Sequence, residues 1–187
     1  MQAHPPFHLR PVRIGDALDL TELERALIED GRGMVKALEE LPEDREAAEA
    51  GVWPWIEMLP WRGLRLVAED ASGQLVAEGS IRRFGPALLT HGAVLALGVH
   101  PAAQGQGLGR RVLGALLDWA AEPPHHPGTG RPAPILRVEL YVRADNTRAL
   151  GLYRSVGFVE EGRRRGFVQL PDGTRIDDLI LALDLAA

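Results

Sequence analysis

The sequence predicts a mixed α/β fold, and three features carry that prediction. An apolar run of strand length at residues 93–99 leads through a glycine-rich turn into a helical pattern. An alternating strand at 136–143 leads into a second helix, and two strand-like pairs, at 65–84 and 159–183, each surround a turn. The 187 residues suit one domain with a substantial core. We therefore expect a single domain over 1–187.

The first third of the chain predicts an edge strand and two helices. Residues 8–12 form a candidate strand, and Pro11 favours an edge or a bulge for it. Asp16 is the expected N-cap of a helix with apolar residues at helical spacing, namely Leu20, Leu23, Leu27 and Ile28. A second helix is expected over about 34–50. Pro54 argues against a regular helix over 52–61.

The middle of the chain predicts a hairpin, a third strand and a helix. Strands at 65–69 and 74–84 surround the turn at 70–73, and a strand from about 91 to 99 extends this hairpin. Because its run is continuously apolar, that third strand is expected to be buried on both faces. The next helix repeats apolar residues at helical spacing, namely Leu108, Val112, Leu116 and Ala120.

The start of that helix lacks the usual capping chemistry. Helix N-termini favour Ser, Thr, Asp or Asn at the cap and acidic residues in the first turn. Here the chain has Gly105, Gly107 and Gly109, followed by Arg110 and Arg111. A bound phosphate would explain both features, because glycines let the backbone approach it and arginines balance its charge. The alternative is an ordinary glycine turn with two solvated arginines.

The spacing separates three phosphate-binding families. No P-loop motif is present, and Arg110 occupies the place of the third glycine of the Rossmann fingerprint. Gln104, Gly107 and Gly109 instead match the Gln/Arg-x-x-Gly-x-Gly/Ala signature, so the chain resembles the GCN5-related N-acetyltransferase (GNAT) family. The resemblance implies acetyl-CoA as cosubstrate, with its pyrophosphate on the amides of this turn. The cofactor-binding residues it implies are Leu97, Val99, Gln104, Gly105, Gln106, Gly107, Leu108, Gly109, Arg110 and Asn146.

A second segment supports the same resemblance. Asp145 or Asn146 can cap a helix that Gly157 ends, and the order Asn, Ala, Leu-Tyr and Gly-Phe resembles the second motif of the family. Tyr153 shares a helix face with apolar neighbours, which is typical of a core tyrosine. The resemblance implies instead that its hydroxyl protonates the leaving thiolate of coenzyme A. Asn146 is either a cap alone or also a contact of the cofactor arm.

The family fold has a central mixed, mostly antiparallel sheet, splayed between strands 4 and 5 and flanked by helices. By resemblance, the pantetheine arm enters that gap beside Leu97 and Val99, one of which polarises the thioester carbonyl through its amide. The glutamate that many relatives carry on strand 4 falls at Val94 here. The general base is therefore open, with Glu78, His91 and His100 as alternatives. Trp53 or Trp55 is either a core residue or a wall of the acceptor site.

The resemblance implies an N-acetyltransferase in which an amine attacks acetyl-CoA directly in a ternary complex. The tail from Glu161 to Leu179 resembles members that act on free amino acids, so a small primary amine is the first expected acceptor. A protein N-terminus or lysine is the alternative. Because Val94 replaces the glutamate, a non-catalytic acyl-CoA-binding module also stays open. A dinucleotide-dependent oxidoreductase is the third alternative, which the missing third glycine disfavours.

Composition limits the partners. A net charge of −5 disfavours nucleic acid, and the arginines at 163–165 are expected to be a solvated strand face. The absence of cysteine excludes a cysteinyl intermediate. His125 and His126 have no nearby ligand partners, so no metal is expected, and a subunit contact by the 121–134 loop leaves a homodimer open. With neither a signal-peptide pattern nor a membrane-length apolar run, a cytoplasmic protein is expected.

Overall fold

A computed structural model describes residues 7–124 and 134–186 of the chain. The elements are β1 (His8–Pro11), α1 (Ala17–Glu29), α2 (Arg45–Ile56), β2 (Gly63–Glu69), β3 (Leu75–Arg83), β4 (Gly92–Val99), α3 (Leu108–Ala121), β5 (Arg137–Arg143), α4 (Thr147–Val156), β6 (Val159–Gln169) and β7 (Arg175–Asp184). The predicted strands and hairpins are all present. Pro11 lies in an edge strand, as expected.

One seven-stranded sheet has the order β1-β2-β3-β4-β5-β7-β6. Every neighbouring pair is antiparallel except β4 and β5, which are parallel. These two strands pair only over Gly92–Val94 and Arg137–Glu139, and beyond those residues they separate. The prediction of a mixed, mostly antiparallel sheet splayed between strands 4 and 5 is confirmed.

Helices cover both faces of the sheet. On the α3/α4 face, Val112, Leu113 and Leu116 are fully buried, and a Cβ at Gly79 would lie 2.6 Å from Val112 Cγ1. On the α1/α2 face, a Cβ at Gly98 would lie 2.6 Å from Leu27 Cδ1. Glycine at these two strand positions therefore lets a helix approach the sheet closely on each side.

The expected helix over 34–50 is wrong. A 3₁₀ turn at Leu38–Glu40 is followed by α2, which starts only at Arg45. Pro42 is the physical reason, because the residue before a proline is pushed out of the helical region, and Leu41 is extended. Asp44 then caps α2 by accepting a hydrogen bond from the Ala47 amide at 2.9 Å.

The expectation that Pro54 prevents a helix is also wrong, because Pro54 lies inside α2. Its missing N–H removes one hydrogen bond in the last turn, and the helix ends two residues later. Trp53 is exposed, whereas Trp55 packs against the smaller apolar cluster on the α1/α2 face. The Arg65 guanidinium lies 5.9 Å from the centroid of the Trp55 ring.

Asp16 precedes α1 but does not cap it with its side chain, which corrects the prediction. Its buried carboxylate accepts hydrogen bonds from Arg10 at 2.7 and 2.8 Å and from the Arg13 amide at 2.7 Å. Burial alone would raise the pKa of this carboxyl, but the bonds to Arg10 hold the pKa below its ordinary value. The buried charge of Asp16 is therefore paired with the Arg10 guanidinium rather than with the amides of α1.

Within residues 7–124 and 134–186, no helix is long and apolar enough to cross a membrane, and no group of three or more potential metal ligands occurs. His125, His126 and most of the 121–134 loop lie outside the described residues.

Candidate active site

The separation of β4 from β5 exposes main-chain groups of β4. The amide of His100, the residue that follows β4, donates to Val76 O on β3 at 2.8 Å, so alternation along an antiparallel pair turns Leu97 and Val99 toward the gap. Val99 O accepts from Gln104 Nε2 at 2.9 Å. The main-chain groups that face the gap and are not bonded to the Gln104 side chain are the Leu97 amide and carbonyl and the Val99 amide.

A cleft of about 410 Å³ opens at this gap, between the turn after β4, the start of α3, α4 and the segment after α1. All the predicted site residues except Gln106 line it. Gln106 points its side chain away and donates to Ala102 O at 3.1 Å. The prediction that β4 is buried on both faces is wrong for its second half, since Ala96 is exposed and Leu97 to Val99 are half-buried where β5 has diverged.

The glycine turn has the backbone form that its residues favour. Gly105 and Gly107 have φ of 77° and 79°, which is the left-handed region. Gly107 is the N-cap of α3 without a side-chain cap, and Arg111 N is 3.2 Å from Gly107 O, which leaves the preceding amides without an intrahelical acceptor. A Cβ at Gly109 would lie 3.3 Å from Leu152 Cδ2, so this glycine brings α3 close to α4.

The arginines at the turn are held by neutral groups. Arg110 donates to Ser155 Oγ at 2.6 Å, Arg111 to Phe7 O at 3.2 Å, and Arg148 to Gln104 Oε1. Across the described ranges, no carboxylate forms an ion pair with any of these three side chains. Positive charge beside a helix N-terminus is normally unfavourable. The turn is thus electrostatically suited to an anion.

Tyr153 combines a core ring with an accessible polar end. The residue is 5% exposed, and its ring centroid is 5.7 Å from that of Phe158. Burial raises the pKa of its hydroxyl to about 12, so the phenol is protonated at neutral pH. The residue lines the cleft, and its hydroxyl has no hydrogen-bond partner among the described residues.

Asn146 is confirmed as the N-cap of α4, since its Oδ1 accepts from the Ala149 amide at 3.1 Å. The segment after α1 lies against it, because a Cβ at Gly33 would be 2.4 Å from Asn146 Nδ2. Buried Arg143 donates to Met34 O at 3.0 Å and pairs with Asp145. This segment therefore forms a fixed wall of the cleft, which no local sequence signal indicated.

The suggested bases lie elsewhere. Glu78 pairs with Arg65, with a distance of 3.1 Å from Arg65 Nε to Glu78 Oε2. His100 Nδ1 accepts from the Ala102 amide at 3.2 Å. Neither these two residues nor His91 lines the cleft, and the same is true of Trp53 and Trp55. Sequence reasoning missed Tyr141 and Arg148, which do line it, and Glu139, which pairs with Val94 across the β4–β5 junction.

A second cavity of about 560 Å³ lies beside Val94. Arg82, the β3 partner of Val94, lines it together with Arg62. Both arginines are exposed, and in the part of the chain that the structure describes neither has a carboxylate partner. Glu57 also lines this cavity, so its lining has more arginines than carboxylates and is positively charged overall.

The sheet opened between two parallel strands, with a glycine turn and a helix N-terminus at the opening, defines the acyltransferase class of α/β fold. A solved phosphinothricin acetyltransferase of the GNAT superfamily from Sinorhizobium meliloti, in complex with AcCoA, has this fold with a TM-score of 0.76 and 16% identity, covering 96% of this chain and 88% of that one. The family model described as "Acetyltransferase (GNAT) family" matches residues 34–158. The chain therefore belongs to the GNAT family, and the predicted resemblance is confirmed.

Two relatives narrow the comparison. N-alpha-acetyltransferase RimI of Mycobacterium tuberculosis is 40% identical over 104 residues, which are 56% of this chain and 58% of that protein. Mycothiol acetyltransferase of Mycobacterium sp. (strain JLS) is 37% identical over 115 residues, which are 62% of this chain and 34% of that protein. The matches thus span between about a third and three fifths of these relatives' lengths.

Proposed function

We propose that this protein is an acetyl-CoA-dependent N-acetyltransferase in which a primary amine attacks the thioester directly in a ternary complex. The observation that carries the proposal is the cleft itself, where unpaired β4 main chain, a left-handed glycine turn and two arginines, Arg110 and Arg148, meet, neither of them with a carboxylate partner among the described residues. The names of the relatives and the family agree with this chemistry.

The residues present fit acetyl-CoA. The amides of Gly105, Gly107 and Leu108 are offered for the pyrophosphate, with Arg110 and Arg148 as nearby cations. Gln106 takes part through its backbone alone, since its side chain points away. Leu97 and the Val99 amide are the strand groups that remain for the pantetheine amides, because Gln104 already holds Val99 O.

Acetyl-CoA, when bound, supplies a thioester whose carbonyl carbon accepts the amine and whose thiolate leaves. The amide of Leu97 or Val99 stabilises negative charge on the carbonyl oxygen. Tyr153 holds a proton on its hydroxyl at neutral pH and gives it to the sulfur as the carbon–sulfur bond breaks. The remaining Tyr153 phenolate is strongly basic in its buried position and recovers a proton from water.

The first candidate acceptor is a small primary amine that also carries an acidic group, such as an amino acid. The cavity beside Val94 supports this choice, since Arg62 and Arg82 line it on the α1/α2 face. A guanidinium binds a carboxylate through paired charge-assisted hydrogen bonds. An amine bound near Val94 would then have its carboxylate directed toward these arginines.

A protein N-terminus is the second candidate acceptor. The relative with 40% identity is named N-alpha-acetyltransferase, and a second relative from Haemophilus ducreyi, 35% identical over 98 residues, is named a ribosomal protein bS18-alanine N-acetyltransferase. Both names describe α-amines of proteins.

An assay of thiol release tests these proposals. Acetyl-CoA is supplied with amino acids, with the same compounds as carboxamides, and with short peptides that have a free N-terminus. Release that depends on amino acids supports the first acceptor, and release that depends on peptides alone supports the second. If coenzyme A stabilises the protein against heat and no amine releases thiol, the chain is a binding module. Stabilisation by NAD or FAD in place of coenzyme A would contradict the whole proposal.

A further inference from the structure

The carboxylate of Glu139 lies at the point where β4 and β5 separate. Val94 and Glu139 are the last pair before β4 and β5 separate. Val94 has an aliphatic side chain and cannot take a proton. Its partner across the strands, Glu139, can. The parallel register thus brings an acid to the place where the β4 side chain offers none.

Glu139 points to the α1/α2 face of the sheet. Directly paired residues of neighbouring strands project to the same face, and residues two apart in one strand do so as well. Val94 therefore shares a face with Gly98, whose missing Cβ admits Leu27 of α1. Glu139 lies on that same face, and so does Tyr141, which lines the cleft.

The Tyr141 hydroxyl donates a hydrogen bond to Glu139 Oε1 at 2.5 Å. Glu139 does not itself line the cleft, and this contact ties its carboxylate to Tyr141, which does. The hydrogen bond to Glu139 and partial burial together raise the pKa of Tyr141, so the phenol stays a donor at neutral pH. The side chain of Glu139 is 17% exposed, which leaves one side of the carboxylate open.

The nearby cations are occupied by other acids. Arg137 Nη2 is 3.7 Å from Glu139 Oε2, but both of its terminal nitrogens bond to Glu161. Arg164, on β6, lies 4.7 Å from the Tyr141 ring centroid and is paired with buried Asp178. Glu139 thus shares Arg137 with Glu161, so one cation stands against two carboxylates, and an incoming ammonium group can neutralise the remaining negative charge.

We propose that Glu139 binds the ammonium group of the acceptor and takes its proton, and that Tyr141 positions Glu139 for this role. The inference rests on the proposed N-acetyltransferase function. One N–H bond of the acceptor breaks and its proton moves to Glu139 Oε2, while the nitrogen lone pair forms the new bond to the acyl carbon of the thioester. Glu139 then returns the proton to water.

The order of these events follows from acidity. An alkylammonium and a glutamic acid differ by about six in pKa, so a carboxylate does not remove the proton from a resting ammonium to any useful extent. An ammonium has no lone pair, so one proton first leaves it for water, and the neutral amine that remains becomes far more acidic as its bond to the acyl carbon forms. The Glu139 carboxylate, which bound the ammonium, accepts a proton from this nitrogen at that moment, which is general base catalysis.

Glu139→Gln is the main test, because glutamine keeps the shape and can still accept from Tyr141. We expect kcat/KM for alkylamines to fall about 100-fold, with coenzyme A affinity unchanged. The matched control is Glu160→Gln, which removes an exposed carboxylate of β6 and should leave the rate unchanged. The loss should persist for acceptors that are already neutral at pH 7, such as hydroxylamine, because their nitrogen also gives up a proton as it attacks. A loss confined to charged amines would make Glu139 a binding residue only and overturn the role as base.

A second measurement tests the geometry without turnover. The chain has only two tyrosines, so in a Tyr153→Phe background the phenolate absorbance reports Tyr141 alone. Adding Glu139→Gln should lower the pKa of Tyr141, because the carboxylate raises it. An unchanged titration would overturn the Glu139–Tyr141 contact. If wild-type protein acetylates no amine, the proposed function fails; if it does and Glu139→Gln matches it, this inference alone fails.

Discussion

The two sides of the cleft differ in the part of the chain that forms them. The side of α3 and α4 is built from main chain and glycines, namely the Leu97 and Val99 amides and the turn at Gly105 and Gly107. The α1/α2 side has Tyr141 in the cleft wall, and beside the cleft it carries side chains of separate strands, such as Glu139 and Arg82. A cofactor shared by a whole family can be bound by main chain, whereas an acceptor that varies needs side chains that can change independently.

Disrupting the glycine turn on the main-chain side of the cleft should have the largest effect, and it should reduce the affinity for coenzyme A. Gly107→Val places a β-branched residue at a φ of 79°, which is strained, and its side chain would obstruct the turn amides. We expect the affinity for coenzyme A to fall about 100-fold or more, measured by titration calorimetry. Gly114→Ala is the control, since a Cβ at Gly114 meets nothing within 4 Å. Unchanged affinity in Gly107→Val would contradict the pyrophosphate assignment.

Removing the Tyr153 hydroxyl tests the chemistry on the same side. Tyr153→Phe should keep the affinity for coenzyme A, because the ring and its packing against Phe158 remain. The turnover number should fall about 100-fold when a proton donor is lost. Since the pKa of Tyr153 is raised to about 12, wild-type turnover should not decline from this group up to about pH 10. Equal turnover of the two proteins would make Tyr153 a packing residue only.

A smaller and more selective effect is expected on the α1/α2 side. Arg82→Gln should raise KM about tenfold for acceptors that carry a carboxylate, and should leave the matching carboxamides and coenzyme A affinity unaffected. Arg45→Gln, on the exposed surface of α2, is the control. If both acceptor types respond equally, the cavity beside Val94 does not recognise an acidic group.

Asp16 lies outside the cleft, at the start of α1, so Asp16→Asn should have the smallest effect on either side of it. This change removes charged hydrogen bonds to Arg10 and should lower the free energy of unfolding by about 2 kcal/mol at pH 7, without changing coenzyme A affinity. The pKa of Asp16 is lowered in the folded state, so its stabilisation is present above the unfolded value and is lost as pH falls through the folded value. The difference between variant and wild type should therefore shrink below about pH 4, as denaturant titrations can show.

The contrast between features formed by main chain and features formed by side chains also explains what could be predicted from the sequence. Gly107, Asn146 and Gly157 act through local backbone preferences, so their spacing alone located the turn and both ends of α4. The start of α2 was predicted too early because Pro42 keeps the residue before it out of a helical conformation. The effect of Pro54 was misjudged because a helix tolerates a proline near its end. Glu139 reaches Val94 only through the register of two strands more than forty residues apart in sequence. No local pattern encodes that pairing.

The short β4–β5 junction also has a mechanical consequence. Strands β1 to β4 form one continuous half of the sheet, and β5, β7 and β6 form the other. At the boundary, β4 and β5 share three residue pairs, and the Leu136 amide adds a hydrogen bond to His91 O. Amide hydrogens along this boundary should exchange with solvent sooner than those inside either half. A molecule that bonds to both edges would tie the halves together, so protection from exchange should spread outward from Leu97 when the cosubstrate is added.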